Sequence, residues 1–120
     1  MQQRHWIALA AALGLTAVAF GAFAAHGLEA GGDARAAQWL ATGSHYQLVH
    51  AVAIVAVIAW GRQGALPAAL WTVGAILFPG SLYALAFGAP KAVAALAPVG
   101  GMTLLLGWAS LAWRAFKAPR

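Results

Sequence analysis

The few charges in this chain divide it into blocks. Its seven basic and two acidic residues all fall outside four long apolar stretches, at about 6–25, 44–60, 66–87 and 93–113. A helix needs about 20 apolar residues to cross the roughly 30 Å hydrocarbon core of a bilayer. Three stretches meet that length, and the second does so if it draws on the residues before it. Only 8% of the 120 residues are charged and 63% are hydrophobic, whereas soluble domains carry roughly 25% charge. A soluble fold of this length could not hide so much apolar surface. The expected fold is therefore all-α: one integral membrane domain over residues 1–120 with the lipid bilayer as its first partner.

The net charge of +5 does not indicate nucleic acid. The cations are scattered singly between apolar blocks, and no basic stripe exists for a phosphate backbone to follow. The absence of cysteine excludes disulfides, thiolate metal ligands, a cysteine nucleophile and haem attachment through C-x-x-C-H.

Residues 61–64 and 88–91 are tight, Gly- and Pro-containing connections, which make neighbouring helices antiparallel. The expected arrangement is an up-down four-helix bundle. Arg4, Arg62, Arg114, Lys117 and Arg120 then share one side with both termini, and Arg35 and Lys91 lie on the other. This excess places the N- and C-termini in the cytoplasm. Trp6, Trp60, Trp71 and Trp113 fall near that interface, where indole rings anchor well. Arg4, the apolar run and Ala22-Phe23-Ala24 also resemble a cleavable signal peptide. The run is longer than a typical signal core of about 7–15 residues, however, and retention is expected.

Between the first two spans, Gly31-Gly32 reads as a turn and Asp33 as an N-cap. A short interfacial helix over about 33–42 is expected, broken from the second span near Thr42, Gly43 and Ser44. One long helix through Trp60 is the alternative. Small residues mark helix contacts in lipid. They recur at Gly14 and Gly21 in span one, Gly80 in span three, and Gly100, Gly101 and Gly107 in span four. Such faces suit a compact bundle and equally a homo-oligomer or a membrane-protein partner. Pro79 removes one backbone donor, frees the carbonyl of Ala75 and predicts a kink.

Four segments together resemble one family. Gly21-Ala22-Phe23-Ala24-Ala25-His26-Gly27-Leu28 is similar to a GAFGAHGL signature. Trp39 with Tyr46-Gln47-Leu48-Val49-His50-Ala51, then Leu77-Phe78-Pro79-Gly80-Ser81-Leu82-Tyr83, then Pro98-Val99-Gly100-Gly101 before Gly107-Trp108, follow in order. Over roughly residues 14–113 the chain resembles the YgdD-like small membrane proteins, domain-of-unknown-function family 423. The resemblance implies a four-helix protein of the bacterial cytoplasmic (inner) membrane whose biochemical activity is not established. It also implies retention of span one, because the apparent cleavage site lies inside the first motif. Ala24 stands where the pattern has Gly, and Pro79 where it has the first Ser of SGS, which removes any role for that hydroxyl here.

The motifs converge on one outer-leaflet region, and the candidate polar cluster is His26, Tyr46, Gln47, His50, Ser81 and Tyr83. Tyr46, Gln47 and His50 are related by three or four residues and share a helix face. An ionisable group within a span is by default a functional-site hypothesis. For His50 the simplest reading is an interhelical hydrogen bond, to Ser81, a tyrosine hydroxyl or a free carbonyl. Proton handling and a metal site with His26 and His45 are the sharper readings, although that spacing matches no standard ligand pattern. No metal or cofactor is expected. Ser81 lacks a G-x-S-x-G setting, the two acids lie outside the spans, and no phosphate loop or dinucleotide fingerprint occurs. No catalytic residue stands out, and the chain is not expected to be an enzyme. The expected function is a non-enzymatic structural, stabilising or accessory membrane component. The alternative is a small transporter or channel subunit with a polar pocket around His50 and Ser81.

Overall fold

A computed structural model of the chain describes residues 1–28 and 31–119. Those residues contain no strand and four long helices. Helix α1 spans Gln3–Phe23 and runs into a π-helical turn at Ala24–Leu28. Helix α2 spans Ala34–Ile58, α3 Ala65–Ala86 and α4 Leu96–Lys117, with 3-10 turns at Gly61–Gly64 and Lys91–Ala95 leading into the last two. All four are long and apolar enough to cross a membrane. The sequences that form them are rich in Ala and Leu, the strongest helix formers, so propensity and hydropathy agree.

The turns follow from backbone chemistry. Gly61 and Gly88 take φ values of 70° and 93°, a left-handed conformation that costs glycine little and other residues much. Pro67 sits at the third position of α3, where its missing N–H breaks no internal hydrogen bond. Helix α3 continues unbroken through Pro79.

Helix α2 corrects one expectation. It starts at Ala34, capped by Asp33, whose carboxylate accepts from the Ala36 N–H at 3.2 Å. It then runs on through Gly43 with no separate interfacial helix over 33–42. Two side chains explain the continuity. The Ser44 hydroxyl donates back to the Ala41 carbonyl at 3.0 Å, satisfied within the helix and so not available to cap a new one. Gly43 is buried against the Tyr83 ring, where an added Cβ would lie 2.7 Å from Cε1. This glycine is there to admit a ring, and it does not break the helix.

Each helix packs chiefly on its neighbour in sequence: α1 on α2, α2 on α3, and α3 on α4. The central pair, α2 and α3, bury most of the core residues. Ala10, Ile54, Val57, Ile58, Ala68, Trp71 and Leu104 form one cluster that all four helices feed. Trp71 is only 1% exposed. Its indole packs on Gly107 and on the Trp108 ring, 4.5 Å between centroids, so it is a core residue and not the interfacial anchor its sequence position suggested.

Candidate functional site

Two polar side chains on α2 hold the other three helices. Gln47 is 4% exposed. Its Nε2 donates to the Leu13 carbonyl at 2.7 Å and to the Thr16 Oγ1 at 2.6 Å, both on α1. Its Oε1 accepts from the Tyr83 hydroxyl on α3 at 2.7 Å. A carbonyl can only accept, so the Leu13 contact fixes which end of the amide faces α1. Thr16 spends its own proton on the Ala12 or Leu13 carbonyl, at 2.9 and 3.1 Å, and so offers lone pairs to Gln47. The Tyr83 ring lies against Phe20 with centroids 4.3 Å apart and against Gly43. One amide thus joins α1, α2 and α3.

His50 joins α2 to α4. The Trp108 Nε1–H donates to His50 Nε2 at 3.0 Å. Indole nitrogen is a donor only, so Nε2 must be the unprotonated ring nitrogen. The other nitrogen, Nδ1, then carries the proton and donates to the Tyr46 carbonyl at 2.6 Å. The geometry therefore assigns a neutral imidazole in the Nδ1–H tautomer with both nitrogens engaged. Its ring also meets the edges of Trp71 and Trp108, at centroid distances of 6.1 and 5.9 Å. Trp71 Nε1 is the one buried side-chain polar atom without a partner among the described residues.

The six candidate residues divide. Gln47 and Tyr83 bond each other, and His50 lies one turn away, facing α4. Ser81 is 3% exposed, but its hydroxyl donates to the Phe78 carbonyl at 2.8 Å, so it is not the partner of His50. Tyr46 is 43% exposed and sets its ring on the edge of Phe78 at 5.0 Å. His26 is exposed on the π-helical turn. No group of three or more His, Cys, Asp or Glu side chains able to hold a metal comes together among the described residues. The sequence reading missed Thr16 and Trp108 as hydrogen-bonding partners. Trp108 lies in the Gly-Trp pair already quoted, and the i, i+3 relation between Leu13 and Thr16 was legible too, but neither pattern says which distant side chain it meets.

The small residues also divide. An added Cβ would strike the Phe78 backbone at Gly100 and the Trp71 indole at Gly107, and would lie 3.1 Å from the Ser44 hydroxyl at Gly21. Gly14 and Gly101 leave ordinary contact distances of 4.0 and 3.8 Å, and Gly80 has no neighbour within 4 Å. Between α2 and α4, beside His50, lies a cleft of about 350 Å³ lined mainly by apolar groups, with Tyr46, Phe78, Leu105 and Trp108 on its walls.

Residues 20–101 match the family described as "Protein of unknown function (DUF423)". A UPF0382 membrane protein of Haemophilus influenzae is 42% identical over 97% of both chains. The chain belongs to this family. The UPF0382 inner membrane protein YgdD of Escherichia coli is 35% identical over all of this chain and 95% of its own length, and the membrane protein YwdK of Bacillus subtilis is 33% identical over 93% and 96%. No solved structure is similar to the chain. The family match takes in Gln47, His50 and Tyr83, and it ends before Trp108.

Proposed function

We propose that this DUF423 protein is a non-enzymatic structural, stabilising or accessory component of the bacterial cytoplasmic membrane, built as an up-down four-helix bundle with both termini in the cytoplasm. One observation carries the reading. Gln47 and His50, buried polar side chains of α2 that are costly in lipid, tie that helix to the other three. His50 uses both ring nitrogens, and the Gln47 amide uses both donors and its acceptor, inside the bundle. Proton transfer at the histidine would need a ring nitrogen directed at a substrate, and both nitrogens of His50 are already engaged. A single four-helix copy with axes about 8–10 Å apart encloses too little volume for a wide pore. The name of the Escherichia coli relative supports the inner membrane, and the basic residues clustered at the terminal side support the orientation.

The test is genetic and biochemical together. Deleting the gene should shift or remove a complex when inner membranes are resolved by native electrophoresis, with restoration by the wild-type copy. An unchanged pattern, combined with solute flux through proteoliposomes holding the pure protein, would overturn the reading.

The cleft beside His50 favours a second reading, a small transporter or channel subunit. That reading requires water in the cleft. The chain has no cysteine, so Leu105→Cys is a clean probe. Rapid labelling by a membrane-impermeant maleimide supports transport, and protection supports the scaffold.

A further inference from the structure

At the end of α4 a second concavity has a different chemistry. A recess of about 320 Å³ opens between the turn leading into α3 and the last turns of α4, lined by Gln63, Leu66, Ser110, Trp113, Arg114 and Lys117. The Lys117 ammonium sits over the Trp113 ring, 4.9 Å from its centroid. The indole thereby holds the cation at the mouth of the recess. Trp113 is 63% exposed, in the amphipathic position that favours the membrane–water boundary. The only acids in the chain, Glu29 and Asp33, precede α2 in sequence, whereas this recess follows it. Asp33 caps the far end of a helix of 25 residues, about 37 Å long at 1.5 Å per residue. Asp33 therefore does not serve as the counter-charge here.

The apolar surface next to this cationic end points the same way. Leu106, Ser110, Trp113 and Lys117 follow one another at helical spacing and share one flank of α4. Above Ser110, toward the middle of the span, that flank is apolar and open, with Leu106 53% and Met102 58% exposed. The site therefore has a basic and hydrogen-bonding head at the interface that continues into an apolar strip of membrane depth. A soluble anion would use only the head. A phospholipid uses both.

We propose that this recess is a binding site for an anionic phospholipid, with the phosphate held by Arg114 and Lys117, the polar headgroup within reach of Gln63 and of the Ser110 oxygen, and an acyl chain lying along Leu106 and Met102. The Ser110 hydroxyl donates to the Gly107 carbonyl at 2.8 Å and so can only accept from the lipid. Arg114 offers a planar fork suited to phosphate oxygens and Lys117 a point charge. Basic recesses between membrane helices are a recurrent means of lipid headgroup recognition. The site lies away from the α2–α4 cleft and does not depend on which function the bundle serves.

The full chain, purified in an uncharged maltoside, is heated while its tryptophan fluorescence is followed, with phosphatidylglycerol, phosphatidylcholine or inorganic phosphate added. Phosphatidylglycerol should raise Tm saturably by several degrees, and phosphatidylcholine and phosphate should not. Arg114→Gln with Lys117→Gln should weaken the apparent phosphatidylglycerol affinity by about tenfold or more, since each surface cation contributes about fivefold, while Arg35→Gln on the other side leaves it unchanged. Because the double variant could fail to fold, Ser110→Trp, which fills the recess and keeps both cations, should also abolish the shift. Native mass spectrometry of the wild type should show one retained phosphatidylglycerol. Equal stabilisation by phosphatidylcholine, an undiminished shift in either folded variant, or a shift fully reproduced by phosphate would overturn the proposal.

Discussion

The Trp108 indole N–H meets His50 Nε2 at 3.0 Å across 58 positions of sequence. That single contact fixes the tautomer of the histidine and fastens α4 to α2. Interhelical hydrogen bonds in membranes average about 0.6 kcal/mol, with a maximum near 1.7. A double-mutant cycle of His50→Ala and Trp108→Phe, read by reversible unfolding in detergent, is expected to give a coupling energy of about 0.6–1.7 kcal/mol. Additive single effects would show that the two rings merely lie side by side.

Gln47 has more to lose. Gln47→Ala removes three hydrogen bonds at once and leaves Thr16 and the Tyr83 hydroxyl without their buried partner. The expected cost is about 2–3 kcal/mol, from the bonds and the groups left unpaired. Tyr83→Phe, which gives up one bond and keeps the ring on Phe20, should cost about 1 kcal/mol or less. The order of the two midpoints in a thermal melt checks this, and a Tyr83→Phe variant weaker than Gln47→Ala contradicts it.

The glycines give a graded series. Gly100→Ala meets backbone at Phe78 and Gly107→Ala meets the Trp71 indole, so each should destabilise by about 1–3 kcal/mol through overpacking. Gly80→Ala meets nothing within 4 Å and should be neutral, or stabilising by up to about 1 kcal/mol from helix propensity. If Gly80→Ala instead lowers stability only at protein concentrations where the chain self-associates, its open face is covered by a second copy. Size-exclusion chromatography with light scattering decides between the two.

Ser81 should prove almost silent. Its hydroxyl bonds within its own helix, so Ser81→Ala is expected to change stability by about 0.5 kcal/mol or less. A loss as large as that of His50→Ala would mean that the hydroxyl serves a second partner.

Hydropathy alone made the four helices legible, because the length of an apolar run in a bilayer is a direct physical measure of a span. Asp33 was legible as a cap for the same local reason. Gly43 and Ser44 misled because their chemistry supports two meanings, a helix break or a close contact, and only the Tyr83 ring on a distant helix selects between them. Trp71 misled similarly. An indole near the end of an apolar run suits an interface, and it is Gly107, 36 positions away, that makes room for it in the core. Within the site, the face shared by Tyr46, Gln47 and His50 was readable from spacing. Their partners were not, since helix rotation about its own axis, which decides whether His50 looks toward Ser81 or Trp108, leaves no trace in hydropathy.

The path of these contacts along the chain has a consequence for biogenesis. A polytopic protein enters the bilayer from its N-terminus, and the partners of α2 arrive on both sides of it in time. Leu13 and Thr16 precede Gln47 and can receive its amide as soon as α2 is inserted. Tyr83 supplies the next donor with α3, and the Nε2 of His50 has none until Trp108 enters with α4. A ribosome that stops short of the fourth helix therefore leaves a buried acceptor facing hydrocarbon, a cost that bilayer cannot relieve. The histidine thus distinguishes a finished chain from a truncated one.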